Sequence, residues 1–101
     1  MIKNFQNIVV LGAGKSGIGA AVLAKKNNLN VLLCDDSNIS KESTNTLREY
    51  GVEYYQVDYM PFISSTQDVL VISPGIDNNH QLVKYFIKSS KPIISEIEFA
   101  S

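Results

Sequence analysis

Several things are scarce in this chain of 101 residues, and each scarcity excludes something. A single cysteine, Cys34, rules out an intramolecular disulfide and suits a reducing, cytoplasmic setting. One cysteine with one histidine, His80, argues against a dedicated zinc site. No apolar run is as long as a membrane span, and the N-terminus lacks a secretory core with a cleavage signal. A formal charge of −1 provides no field for nucleic acid or an anionic membrane, so neither is an expected partner. Any phosphate must therefore be recognised locally, by backbone amides. What remains is 45% hydrophobic and 19% charged, an ordinary globular balance at a length for one domain.

The chain is organised around residues 7–19, N-I-V-V-L-G-A-G-K-S-G-I-G. Ile8-Val9-Val10-Leu11 suits a buried strand, and a helix-forming run begins near Ser16. Gly12, Gly14 and Gly17 have the Gly-x-Gly-x-x-Gly spacing of a phosphate-binding turn between strand and helix. The first permits the tight turn, the second lets phosphate approach the backbone, and the third lets helix and strand pack closely. Free N–H groups and the positive end of the helix dipole then face the anion. Gly14-Lys15-Ser16 also resembles the end of an ATP-binding P-loop. That motif needs an earlier glycine where this chain has Val9, inside the strand.

Four further strands are expected at residues 30–34, 53–57, 68–72 and 92–95. Helices are expected over 16–27, 41–50 and 80–89, the last capped by Asn78 or Asn79 and burying Leu82, Val83, Phe86 and Ile87. Alternating strands and helices predict an α/β, Rossmann-like open parallel sheet of order 3-2-1-4-5 with helices on both faces. The order reverses between strands one and four, so a ligand is expected at their carboxyl ends. Three turns converge there: the glycine turn, residues 35–37 and residues 73–75. Asp35 falls roughly where a ribose- or base-binding acid about 20 residues downstream would sit.

Cys34 reads as a small buried hydrophobe, and His80 as a surface or capping residue. Glu96 and Glu98 read as a solvated strand edge or a contact to another domain. Tyr54, Tyr55 and Tyr59 read as a cover over strand three. Neither a catalytic group nor a metal ligand set is expected.

G-A-G-K-S-G after strand one, C-D-D-S after strand two and I-S-P-G-I after strand four, with E-I-E-F near the end, resemble the N-terminal domain of the Mur ligases. The likeness covers essentially the whole chain and is greatest to the D-glutamate-adding members. It implies a domain, residues 1–101, that binds the UDP moiety of UDP-MurNAc-L-Ala for peptidoglycan synthesis. By that likeness Gly14, Lys15, Ser16 and Gly17 hold the diphosphate, with Lys15 expected to point to solvent. Asp35 accepts from uracil with Asp36 beside it, and Ser73, Pro74 and Gly75 border the sugar and diphosphate. Ser37 stands where some members carry an arginine able to lie against uracil. The family's central ATPase domain, with its P-loop and magnesium sites, and its C-terminal domain are expected to be missing here. ATP and Mg would then belong to the full-length enzyme, the central domain would be a partner, and this piece would be inactive alone. Two other readings of the residues stay open: an NAD(P)-binding domain of an oxidoreductase, and a non-enzymatic nucleotide-sensing module.

Overall fold

The computed structural model describes residues 5–100. Residues 1–4 and Ser101 lie outside it. Strands β1 (Asn7–Leu11), β2 (Asn30–Asp35), β3 (Glu53–Gln56), β4 (Val69–Ile72) and β5 (Ile93–Ser95) form one sheet of order β3-β2-β1-β4-β5. Every pairing is parallel, with Val9 opposite Leu32 on one side and Leu70 on the other. The expected topology is thus observed. β1, β2 and β4 are covered on both faces, which is why they read as nearly unbroken apolar runs.

Side chains alternate across the sheet, so β1 feeds two cores. Ile8 and Val10 meet Ala20, Ala21 and Ala24 of α1 (Lys15–Lys26), with Leu47 of α2 (Lys41–Glu49) and Phe99 of α4 (Glu96–Ala100). Val9 and Leu11 meet Tyr59 and, from α3 (Gln81–Lys88), Leu82, Val83 and Phe86. Each fully buried side chain of this size is worth about 1.5–3 kcal/mol before entropy is charged against it. Ile87, expected in the buried stripe of α3, is 59% exposed. Leu82, Val83 and Phe86 already fill the face toward the sheet, and the next position rotates away.

The helix ends follow local chemistry. Ser40 Oγ accepts from the Ser43 amide at 3.1 Å and opens α2. After α2, Gly51 turns at φ +71° and the Val52 amide returns to the Leu47 carbonyl at 2.8 Å. Asn28 after α1 and Ser90 after α3 also take positive φ and close their helices in related ways.

Three other expectations change. The cap of α3 is His80, not Asn78 or Asn79: its Nδ1 accepts from the Leu82 amide at 3.0 Å. Glu96 and Glu98 lie on a short helix rather than a strand edge. Ser95 Oγ accepts from the Glu98 amide at 3.0 Å, and Glu98 Oε1 accepts from the Ser95 amide at 3.3 Å, a reciprocal capping box. Glu96 is buried, not solvated. Lastly, Tyr59 does not cover β3. It precedes a 3₁₀ turn (Met60–Phe62) and is wholly buried on the α3 side of the sheet. Among the described residues no helix is long and apolar enough to cross a membrane.

Candidate functional site at the carboxyl edge of the sheet

β1 ends at Leu11, and Gly12 turns the chain at φ +111°, a conformation that favours glycine. The Gly12 amide still bonds to the Cys34 carbonyl at 2.7 Å, so the turn begins inside the sheet. Gly14 is the N-cap of α1 and supplies no side-chain acceptor to it. The first amides of the helix, at Lys15, Ser16 and Gly17, have no carbonyl one turn earlier within the helix. Space is open where a side chain on Gly14 would lie. Gly17 is different. A Cβ there would lie 1.9 Å from the Gly12 carbonyl oxygen, so the helix crosses the turn at a distance only glycine allows.

The Asp35 carboxylate is tied to the glycine turn. Its Oδ2 accepts from the Ala13 amide at 2.8 Å, while Oδ1 accepts from the Ser37 amide at 2.9 Å and the Ser37 hydroxyl at 3.1 Å. A carboxylate offers about four acceptor positions, so one remains on Oδ2. Ser37 is thus bonded to Asp35 and shapes the loop after β2.

Asp36 takes another direction. Tyr59 Oη donates to its Oδ1 at 2.6 Å, and His80 Nε2 lies 2.6 Å from its Oδ2. Desolvation pushes the Asp36 carboxyl up, but the bonds from Tyr59 and His80 outweigh it and hold the group below its usual range. The Tyr59 hydroxyl is pushed up by burial and by its bond to Asp36. Cys34, under the same loop, is buried, and desolvation followed by Asp36, Asp35 and Glu53 pushes its thiol up to about 12. This agrees with an inert, space-filling cysteine.

Ser16 and Pro74 share one groove of about 420 Å³, lined also by Leu23 of α1 and by Glu96 and Ile97 of α4. Ser73 is half-buried at the end of β4, and Gly75 is exposed beside Pro74. Gly14, Lys15 and Ser16 are exposed at the helix start. Lys15 lines a separate groove between α1 and α2 with Glu42, Ser43 and Thr46. The fold therefore brings the glycine turn into register with residues 35–37 through Asp35, and with residues 73–75 through the Ser16–Pro74 groove. Tyr59 and His80 were not expected as part of this edge. The capping box at Ser95 and Glu98 was legible as S-x-x-E; the inward path of Tyr59 had no comparable signal.

A family model described as Mur ligase MurD-like, N-terminal domain, matches residues 6–95. This chain belongs to that family. Relatives of the MurD-like domain include the UDP-N-acetylmuramoylalanine–D-glutamate ligase of Bacteroides fragilis, 40% identical over 94% of this chain and 21% of its own length. That of Christiangramia forsetii is 35% identical over 95% of this chain and 22% of its own length. The chain thus spans about a fifth of the length of these relatives. Among solved structures, the murein peptide ligase Mpl of Psychrobacter arcticus superposes with a TM-score of 0.84 at 21% identity, over 95% of this chain and 20% of that one. UDP-N-acetylmuramate–alanine ligase MurC of Thermotoga maritima gives 0.75 at 19% identity, over 93% and 21%. At these identities the two structures speak to the Mur ligase fold alone.

Proposed function

We propose that this MurD-like domain holds the UDP moiety of UDP-MurNAc-L-Ala, as the N-terminal part of an ATP-dependent D-glutamate ligase. The observation that carries the reading is the Ala13–Asp35 bond. It joins a turn suited to a diphosphate to a loop suited to a nucleoside across the end of β1. The amides of Lys15, Ser16 and Gly17 and the Ser16 hydroxyl face the diphosphate, supported by the helix dipole. The remaining acceptor position of Asp35 Oδ2 takes the uracil N–H. Ser73, Pro74 and Gly75 border the sugar, with Pro74 continuing the groove that Ser16 begins. Lys15, on the α2 side, stays in solvent.

In the full-length enzyme ATP and magnesium would support phosphorylation of the substrate carboxylate. The residues here do not fit either group. Val9 occupies the first glycine position of a P-loop, and among the described residues no three His, Cys, Asp or Glu side chains are placed to hold a metal. This domain's part is to bind and orient the substrate for the central domain.

Calorimetry with UDP, UDP-MurNAc-L-Ala, NADH and ATP tests the reading. Charge-assisted bonds contribute about 1.5–3 kcal/mol each, offset by lost translational freedom, so micromolar-to-millimolar UDP binding is expected. Binding of NADH without UDP would replace this reading with a dinucleotide-binding one.

A further inference from the structure

Asp36, Tyr59 and His80 come from three different crossovers, those after β2, β3 and β4, and meet on the α3 side of the sheet. The protonation of the imidazole follows from its contacts. The Leu82 amide can only donate, so Nδ1, which accepts it at 3.0 Å, carries no proton. The neutral ring therefore has its proton on Nε2, aimed at Asp36 Oδ2 2.6 Å away. The His80 side chain is 15% exposed and that of Asp36 55%. An aspartate so exposed would ordinarily turn freely in water. This one is gripped at both oxygens, by a buried tyrosine and by a histidine fixed at a helix start.

β2 and β4 flank β1, so the Asp36–His80 bond links the two sides of the crevice where the strand order reverses. We propose that His80 is a positioning residue for nucleoside recognition. One ring nitrogen caps α3 and the other holds Asp36, fixing the 35–37 loop relative to the 73–75 turn before ligand arrives. The proposal rests on the uridine reading above. Its effect is preorganisation: a loop already in place loses less freedom on binding. The glycine turn is braced separately, through Asp35 and Gly17, so diphosphate binding does not depend on His80.

His80→Asn separates the two duties. Asparagine is among the best N-caps but is too short to reach Asp36. We expect a denaturation midpoint lowered only slightly, by the loss of that one bond, UDP affinity lowered about 5- to 10-fold, and pyrophosphate affinity nearly unchanged. Asp36→Ala keeps the cap and removes the grip. It also removes the Tyr59 bond, so it should weaken UDP at least as much, and adding His80→Asn to it should cost nothing further, because His80 acts through Asp36. Imidazole ¹⁵N spectra of the wild type should show a protonated Nε2 and a bare Nδ1. Full UDP affinity in His80→Asn, equal losses of UDP and pyrophosphate, additive losses in the double variant, or a proton on Nδ1 would each overturn the proposal. If the wild type binds no UDP, the uridine reading fails by itself. Amide exchange at Asp36 and Ser37 then decides the matter: acceleration in His80→Asn supports the grip, and unchanged rates refute it.

Discussion

The Ala13 amide donates to Asp35 Oδ2 at 2.8 Å, so the carboxylate suited to a nucleoside also holds the turn suited to phosphate. From the sequence, Asp35→Ala is expected to weaken uridine nucleotides and spare pyrophosphate. The bond changes that expectation. Losing it frees the Ala13 amide and the Ser37 loop together, so Asp35→Ala should weaken both ligands, UDP the more. Parallel titrations with UDP and pyrophosphate check this; undiminished pyrophosphate binding would show that the turn stands without its brace.

Gly14 and Gly17 should respond oppositely to substitution. Gly17→Ala places a methyl 1.9 Å from the Gly12 carbonyl, which forces α1 away from the turn. A loss of about 3 kcal/mol in urea denaturation is expected, at the upper end for overpacking. Gly14→Val enters open space at φ −71°, so the fold should survive, while the new side chain obstructs the diphosphate. UDP and UMP binding should both disappear.

Acid should loosen the start of β1. Asp68 Oδ2 accepts from the Gln6 and Asn7 amides, each at 2.8 Å, and these two bonds hold its carboxyl below the usual range. A carboxyl lowered by folding stabilises the protein above its unfolded pKa, about 3.9. That contribution is lost as pH falls through the lower folded value, and Asp36 adds to the same trend. Asp68→Asn should cost about 1 kcal/mol at pH 7, solvent screening having reduced it. The gap between variant and wild type should close below about pH 4. Urea midpoints from pH 7 to pH 2 measure it.

Val57 is β-branched yet adopts φ +65°, a strained conformation for such a side chain. It is half exposed, and its carbonyl accepts from the Tyr59 amide at 2.9 Å as the chain turns inward. Val57→Asn relieves the strain without emptying a core, so a gain of about 1 kcal/mol is expected in the same denaturation assay.

Cys34 should resist alkylation at pH 8 in the native protein, since it is fully buried and its thiol is pushed up to about 12. Modification should proceed at the rate of unfolding and accelerate in urea. Rapid native labelling would contradict the burial.

The strands of this domain were legible because parallel strands covered on both faces must be apolar throughout, and residues 8–11, 31–34 and 69–72 are. The glycine turn was legible because φ +111° at Gly12 and the approach at Gly17 leave no other residue type comfortable. Strand order followed from the rules of right-handed crossover. These are local or chain-wide constraints, and they act on residue type directly. The partners of Asp35, Asp36 and His80 are of another kind. A tyrosine at position 59 suits the surface as well as the interior, and a histidine before a helix is compatible with many partners. Tyr59 and His80 lie far apart along the chain, and only the packing of the 3₁₀ turn and α3 onto one face of the sheet brings their polar atoms to the same carboxylate. Glu96 shows the same limit. Its capping neighbours were written in the order of residues, but its burial beside Gly17 depends on α4 folding back against α1, a contact between the two ends of the chain that no local pattern encodes.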